Sequence, residues 1–275
     1  MGYEDLNDHD ELRRDPLLAV LAEKEDPRGE SRARERDGGQ ALAGKSTLNR
    51  LELTPEKVEP KERYKKIVMD AAAVDRLRVE MFLNSYGEAP QEIVLDLDAT
   101  DDPLCGHQEG RFFHGYYGEY GYLPLYIFCG HALRGARLRP SHIDGAAGCV
   151  EELERIVKQV REAWPGVKIT LGGDSGFCRE ERMKWCADQG VDYVLGLAKN
   201  DRLKAEIVSE QEQAAAEYQQ RGKAARRFKE FHYQTRESWS RARRVVGKAE
   251  HLEKGANPRF VVTTLGQQDG EWRRL

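Results

Sequence analysis

Apolar residues in the first part of the chain recur at helical spacing. They do so over residues 1–22, where the pattern is interrupted at Pro16, and again over residues 61–86. Between these stretches, residues 23–39 consist almost entirely of charged residues, Gly and Pro, which is typical of a solvated linker or loop. The pattern therefore predicts a helical N-terminal segment over residues 1–88, with a charged linker near 23–39.

From residue 90 the pattern changes to that of strands. Residues 92–99 predict a buried strand, residues 112–130 predict two more, and residues 135–140 a fourth. Helices and strands then alternate, as helix 144–164, strand 167–171, helix 179–189 and strand 191–197. Strands in a row followed by this alternation predict a mixed α/β core over residues 89–200, with a mixed sheet flanked by helices.

The last quarter of the chain, residues 201–275, begins with strong helix formers and continues with β-leaning stretches. The helix is predicted over 201–221, and the stretches are 226–233, 238–248 and 259–265. The sequence thus predicts a helix and a β-rich segment after the core.

The composition indicates a protein with a heavily charged surface. Of 275 residues 39% are hydrophobic and 33% charged, and the formal net charge is -4. No apolar run approaches the roughly 18 residues that a membrane-spanning helix needs, and a cytoplasmic location is the expectation. The cysteines are odd in number and form no C-x-x-C pair, which argues against a disulfide framework and a zinc site. They are Cys105, Cys129, Cys149, Cys178 and Cys186.

Two of the predicted strands end in aspartate. Alternation places Asp96 and Asp98 on one face of strand 92–99, and Asp174 follows two glycines at the end of a later strand. A carboxylate in an apolar strand costs free energy unless hydrogen bonds or a cation compensate. Carboxylates from separate strand ends can hold Mg²⁺ or Mn²⁺ and leave coordination positions open for phosphate and water. The alternative is that these aspartates only cap turns, where aspartate is common.

Residues 39–46 match the phosphate-loop pattern G-x-x-x-x-G-K-[ST]. This pattern binds nucleotides only between a buried strand and a helix. The preceding residues 34–38 are too highly charged to form a buried strand. The match is interpreted as accidental, and no nucleotide-binding residue is assigned.

Residues 221–248 contain ten basic residues and only two acidic ones, Glu230 and Glu237. Four aromatic residues are interleaved with them: Phe228, Phe231, Tyr233 and Trp239. Such a composition is typical of a surface that neutralises phosphates and stacks on bases or sugars, although an ordinary solvated basic face has the same composition. The candidate DNA-binding residues are Arg226, Arg227, Lys229, Arg236, Arg241, Arg243, Arg244 and Lys248.

Several short motifs together resemble those of the DDE transposases of bacterial insertion sequences, in the branch whose ribonuclease H-like core carries a β-rich insertion. The resemblance rests on residues 95–103, 108–110, 115–117, 122–126 and 173–177, and upstream on 5–9 and 45–51. Each motif alone is weakly specific. Together they cover nearly the whole chain.

The resemblance implies roles for the two aspartates. In that family the first catalytic aspartate stands two residues before Thr or Ser, which corresponds to Asp98, and the second lies in an Asp-x-Gly-Phe turn, which corresponds to Asp174. The implied reaction uses two Mg²⁺ or Mn²⁺ ions: water attacks the phosphodiester at a transposon end, and the freed 3′-hydroxyl attacks target DNA. The implied partner is double-stranded DNA, at transposon ends and target, bound by a homodimer associated with a bacterial nucleoid.

The third carboxylate of that family lies in a helix after the insertion, in a Tyr-x2-Arg-x3-Glu-x6-Lys motif. Tyr233 and Arg236 match its first half, but Ser240 stands at the glutamate position and lies among basic strands. The chain ends at Leu275, where that helix would be expected, and it begins with little of the DNA-binding region that the family implies. The sequence thus predicts a fragment truncated at both ends that lacks the third acid.

Two alternatives stay open at this point. In a ribonuclease H-like nuclease without an insertion, the helix after strand 191–197 would supply the third acid, which makes Glu206 or Glu210 the candidate. In a non-catalytic DNA-binding protein that competes with an intact transposase, DNA binding would be sensitive to salt. It would not depend on Asp98 or Asp174.

Overall fold

The computed structural model describes residues 6–52, 70–106, 108, 110–115 and 118–266. The chain divides into two compact units, residues 1–72 and residues 73–275.

The first unit contains short helices joined by ordered loops. Its helices are two 3-10 helices, Leu6–Asp8 and Glu35–Asp37, and the α-helices α1 (His9–Leu12), α2 (Pro16–Leu21) and α3 (Lys45–Glu52). Helix α2 starts at Pro16 because Asp15 accepts hydrogen bonds from two backbone N–H groups of the first turn. The described part of the helical stretch predicted over 1–22 is therefore divided into one 3-10 helix and two α-helices. Segment 23–39 is a folded loop, in which Asp26 accepts hydrogen bonds from the backbone N–H and hydroxyl of Ser31.

The second unit contains all the strands of the described chain. Its helices are α4 (Ala71–Asn84, which begins at the boundary), α5 (Cys149–Ala163), α6 (Glu180–Gln189), α7 (Asp201–Glu206) and α8 (Val208–Arg221). Its first strands are β1 (Glu92–Ala99), β2 (Asp102–Pro103), β3 (Phe112–His114), β4 (Glu119–Tyr122), β5 (Leu125–Cys129) and β6 (Ala132–Arg137). The later strands are β7 (Lys168–Gly173), β8 (Asp192–Leu197), β9 (Ala225–Tyr233), β10 (Arg243–Leu252), β11 (Gly255–Ala256) and β12 (Arg259–Thr263).

Nine strands form one mixed sheet, which confirms the predicted fold class. Its order is β11-β10-β12-β8-β7-β1-β5-β6, and β9 pairs with β10 along residues 243–251. The neighbours β1, β7 and β8 are parallel, whereas β5, β6 and β12 run antiparallel to the strands beside them. Because β12 pairs with β8, the β-rich segment of the last quarter extends the core sheet. A second, three-stranded sheet has the order β2-β4-β3.

Burial along β1 shows which face of the sheet is packed. Leu95 and Leu97 are 1% and 4% exposed, whereas Asp96 and Asp98, which point to the opposite face, are exposed. The packed face belongs to one core cluster with apolar residues of α5 and α6, such as Ile156. This packing leaves the aspartates on the face away from α5 and α6.

Some predicted elements differ in extent from the observed ones. Helix α5 begins five residues after the predicted start at Asp144, because the Asp144 carboxylate accepts a hydrogen bond from the Ala146 N–H and forms a turn. The helix predicted over 201–221 breaks at Ile207, where α7 gives way to α8. Of the helix predicted over 61–86, residues 61–69 lie outside the described residues. None of the helices in the described part of the chain is long and apolar enough to cross a membrane.

Candidate active site

The structure brings Asp98 and Asp174 to the same edge of the sheet. Strands β1 and β7 are parallel neighbours, and Leu97 is paired with Gly173. Asp98 and Asp174 are the next residues on the two strands. Adjacent strands lie about 4.8 Å apart, so the two carboxylates emerge side by side, as alternation and strand ends predicted.

The turn after β7 fixes the position of Asp174. Its Oδ1 atom accepts a hydrogen bond of 2.8 Å from the Gly176 N–H, and its carbonyl accepts one of 3.2 Å from the Phe177 N–H. Phe177 is 2% exposed and anchors the turn in the core. On the neighbouring strand β8, a Cβ atom on Gly196 would lie 2.9 Å from the Ser175 nitrogen, so a glycine is needed there for the turn to approach.

Asp96 lies beside Asp98 on the same face and has a glycine under its carboxylate. A Cβ atom on Gly172, the residue paired with Asp96 on β7, would be 2.0 Å from Asp96 Oδ1. The surrounding strands partly desolvate this carboxyl group, which raises the pKa of Asp96 above its usual value. On the other side of Asp98, the Thr100 hydroxyl is 3.5 Å from Asp98 Oδ2.

A cleft of about 1050 Å³ lies along this face of the sheet. Its acidic side contains Asp96, Asp98 and Asp174, and the strands on its other side carry cationic residues. The cations are Lys248 on β10, Arg259 on β12 and Lys199 after β8. The sequence prediction missed Lys199 and Arg259, because each stands outside the basic run of 221–248 and only the strand order brings it to the cleft.

Asp96 is the third carboxylate of the cleft, and no Glu or His residue lines the cleft with these aspartates in the described part of the chain. Within the described ranges, no group of three or more His, Cys, Asp or Glu residues could hold a metal ion. Glu206 ends α7, and Glu210 lies near the start of α8, where Ile207 between them packs on Gly247 of β10. Strand β10 is four places from β1 in the sheet, so the structure does not support the alternative in which Glu206 or Glu210 is the third acid.

Three of the candidate DNA-binding cations contact groups on the helices. Arg227 forms an ion pair of 2.6 Å with Glu217 of α8, and Lys229 donates a hydrogen bond to a backbone carbonyl at the end of α7. Arg243 is 5% exposed and forms an ion pair of 2.8 Å with Glu180 of α6. A buried, paired guanidinium is a structural group, so the prediction of Arg243 as a DNA contact needs correction.

Three others are paired with acids of β9 and β10. Arg226 lies 2.5 Å and Lys248 3.8 Å from Glu250, and Arg244 lies 2.9 Å from Glu230. The charge excess counted along residues 221–248 is thus partly offset within the fold. The last two, Arg236 and Arg241, are exposed in the loop between β9 and β10.

The segment that matches the phosphate-loop pattern has a different environment from a nucleotide site. Lys45 Nζ lies 2.9 Å from an Asp10 carboxylate oxygen and donates a hydrogen bond of 3.2 Å to Asn7. Residues 39–44 form turns and irregular chain that lead into α3. The lysine that would bind phosphate is therefore engaged in an ion pair.

The fold and site define a mixed α/β domain with paired carboxylates at the ends of neighbouring parallel strands. The chain belongs to the family of transposase DDE domains, group 1, which matches residues 1–274. This family acts on DNA with divalent metal ions. No curated protein is significantly similar in sequence.

Among solved structures, the chain is similar to the piggyBac transposase in a synaptic complex with hairpin DNA. The sequence identity is 13% and the TM-score 0.37, over 94% of this chain and 63% of that chain. The chain thus spans less than two thirds of the length of that transposase.

Proposed function

We propose that this chain is part of a DNA transposase in which Asp98 and Asp174 are two of the catalytic carboxylates. The observation that carries the proposal is the parallel register of β1 and β7. It places Asp98 and Asp174 side by side at the same edge of the sheet. Membership of the transposase DDE family supports the assignment. The reaction would be hydrolysis of a phosphodiester bond at a transposon end, followed by transfer of the freed 3′-hydroxyl to target DNA.

The donor set fits Mg²⁺ or Mn²⁺. Both carboxylates are exposed, and Asp174 Oδ1 already accepts a hydrogen bond that holds its orientation. Magnesium in enzymes of this kind is held through one or two carboxylates, with phosphate and water as further ligands. When bound, such ions polarise the phosphodiester and activate water.

The basic residues of the cleft are proposed to bind the DNA backbone. Lys199, Lys248 and Arg259 lie across from the acids and can neutralise phosphates that flank the reacting one. Two opposed rows of charge would orient a DNA strand across the cleft. Arg236 and Arg241 are exposed in the loop between β9 and β10 and are further candidate DNA contacts outside the cleft.

Three finer features are also part of the proposal. The mobile element is a bacterial insertion sequence, both its ends and the target are double-stranded DNA, and the protein acts as a homodimer on that DNA. These features rest on the sequence motifs around Asp98 and Asp174.

Binding of Mn²⁺ tests the assignment of the two aspartates directly. Titration of the chain with Mn²⁺, followed by electron paramagnetic resonance of the free ion, should show at least about tenfold weaker binding in Asp98→Asn and Asp174→Asn. Asp188→Asn, an exposed aspartate on α6, is the matched control and should bind as the wild type does, as should Glu206→Gln and Glu210→Gln. Unchanged Mn²⁺ affinity in both site variants would refute the proposal.

A second candidate function is DNA binding without catalysis. It is favoured because the residues that the structure describes contain no group of three or more His, Cys, Asp or Glu side chains that could hold a metal ion. Nicking of supercoiled duplex DNA in Mn²⁺ separates the two functions. Nicking that is lost in Asp98→Asn supports the catalytic function, whereas salt-sensitive binding with no nicking supports the second.

A further inference from the structure

We propose that a row of aromatic side chains beside Asp98 binds unpaired bases of the DNA strand at the site. This row, here called the aromatic lane, consists of Phe113, Tyr120, Tyr122, Tyr126 and Phe128. The inference rests on the proposed function and adds that the DNA strand is unpaired where it lies beside the site.

The lane runs along one continuous antiparallel ribbon. Asp98 of β1 is paired with Tyr126 of β5, and Asp102 of β2 is paired with Tyr122 of β4. The two pairs are separated by four residues along both segments of the chain, 98 to 102 and 122 to 126. Neither segment therefore has an extra residue between the pairs. The Thr100 N–H also donates to the Pro124 carbonyl between the two pairs, at 3.3 Å. The small sheet is therefore a direct extension of the pairing between β1 and β5.

Alternation puts the aromatic residues on the face of the acids. Tyr126 is directly opposite Asp98 and Phe128 is directly opposite Asp96, and residues opposite one another in an antiparallel pair share a face. The aliphatic residues between the aromatic ones point to the other face and are at most 4% exposed: Leu123, Leu125 and Ile127. The aromatic rings of β5 are only partly covered.

The outer end of the lane is exposed. Tyr120 of β4 is paired with Phe113 of β3; their rings are 5.4 Å apart and the residues are 49% and 53% exposed. The Arg111 guanidinium lies 4.6 Å from the centre of the Tyr120 ring. Exposed aromatic surface beside a stacked arginine is what proteins use to bind bases of single-stranded nucleic acid.

The charges along the lane favour bases over phosphates. Asp98 and Asp102 lie opposite Tyr126 and Tyr122, so a phosphate placed on these rings would meet negative charge. A base has no charge and presents a flat face, which is accessible when the base is unpaired. The lane continues from the candidate catalytic carboxylate, so the occupant that fits is an unpaired stretch of the strand whose phosphodiester reacts.

Fluorescence of a single-stranded oligodeoxynucleotide that contains 2-aminopurine tests the lane without metal or catalysis. The 275-residue chain should quench this fluorescence on binding, and Tyr120→Leu and Tyr126→Leu should each raise the dissociation constant about five-fold to a hundred-fold, since each removes one stacking ring. Tyr120→Phe and Tyr126→Phe keep the ring and should bind within about two-fold of the wild type. The matched control is Tyr86→Leu, which changes a tyrosine of similar exposure outside the lane.

The outcomes separate this inference from the proposed function. The inference about the aromatic lane would be overturned if the leucine variants bound the single strand as tightly as the wild type does. It would also be overturned if the wild type bound the fully paired duplex as tightly as the single strand. Tyr120 is exposed, so its variants should melt as the wild type does, and circular dichroism verifies this. Asp98→Asn should lose Mn²⁺ binding without a weaker affinity for the single strand, since it removes a negative charge beside the lane and no aromatic ring. Loss of Mn²⁺ binding and retention of stacking are thus independent results.

Discussion

A Cβ atom on Gly196 of β8 would lie 3.1 Å from the carbonyl carbon of Asp174 and 3.3 Å from its Cα. The two residues therefore touch through their backbones. Strand β8 supports the turn that carries the candidate catalytic carboxylate. Because the contacted atoms belong to the main chain, no change of rotamer could relieve a larger residue at this position.

The variant Gly196→Ala should displace Asp174. We expect a loss of about 1–3 kcal/mol in the free energy of unfolding from overpacking, together with weaker Mn²⁺ binding. Urea unfolding and paramagnetic resonance measure the two effects. Gly166→Ala is the control, since a Cβ atom there meets no atom within 4 Å.

Gly172→Ala provides the contrast, because its added methyl group meets the Asp96 carboxylate and that side chain can rotate away. Its stability should change by less than about 1 kcal/mol. An Mn²⁺ affinity of the wild-type value in Gly196→Ala would show that the contact does not position Asp174.

The buried carboxylate of Asp75 should make stability depend on pH. Arg137 donates hydrogen bonds of 2.9 Å and 2.5 Å to its two oxygens. Burial by itself raises the pKa of Asp75, but the hydrogen bond and charge of Arg137 outweigh it, and the net pKa lies below the usual value. The pair therefore stabilises the fold fully above about pH 4, the pKa of an unfolded aspartate, and this contribution is lost as the pH falls below it.

Asp75→Asn removes that charge and should lower the free energy of unfolding at pH 7 by about 2–4 kcal/mol. This is at the lower end for a buried pair, since Arg137 is 34% exposed. Urea unfolding between pH 3 and pH 7 should show a smaller dependence on pH in the variant. The exposed Asp188→Asn should behave as the wild type, and equal slopes in all three proteins would contradict the assignment.

Local pattern was sufficient to predict the face and the end of each strand at the site. The alternation of Leu95, Asp96, Leu97 and Asp98 predicts which side chains are buried, and the apolar run that ends before Asp174 predicts a strand that stops there. The pattern does not specify which strands become neighbours. The pairing of Asp98 with Tyr126 and the position of Arg259 in the cleft depend on the strand order, which comes from packing of distant segments.

The prediction from charge along residues 221–248 was incomplete for the same reason. A count along the chain includes only the acids of that segment, whereas Glu180 and Glu217 come from α6 and α8 and pair with Arg243 and Arg227. The excess of positive charge in the sequence therefore overstates the charge that this surface presents to DNA.

Two arginines of this segment should separate stability from DNA binding. Arg243 is buried against Glu180, and Arg243→Ala should cost about 2–3 kcal/mol in the free energy of unfolding because it removes the positive charge that pairs with Glu180. Arg241 is exposed, and Arg241→Ala should leave stability within about 0.5 kcal/mol. If Arg241 contacts a phosphate, its loss should also reduce the slope of log affinity against log salt by about 0.9.

Urea unfolding and filter binding of duplex DNA at several salt concentrations measure both variants. We expect a stable Arg241→Ala with a reduced salt slope. Refolded Arg243→Ala should retain the salt slope of the wild type. The reverse result would place Arg243 at the DNA surface and Arg241 outside it.

The cysteines should differ widely in reactivity, which tests the packing of the helices behind the site. Burial raises the pKa of the thiols of Cys149 and Cys178 to about 11 and that of Cys186 to about 12, whereas Cys105 is exposed. Only the thiolate reacts with iodoacetamide, so at pH 8 these three groups are almost entirely in the unreactive form and are also shielded from the reagent. Mass spectrometry of the folded chain should show rapid modification of Cys105. Cys149, Cys178 and Cys186 should react only after unfolding in urea.

The variant Cys105→Ser should remove the rapid phase. Cys186 lies on α6, which also carries Glu180, the partner of Arg243, and follows the turn of Asp174. Rapid modification of Cys186 in the folded chain would therefore show that α6 is not packed on the sheet. The support for both the Asp174 turn and the Arg243 ion pair would then be lost.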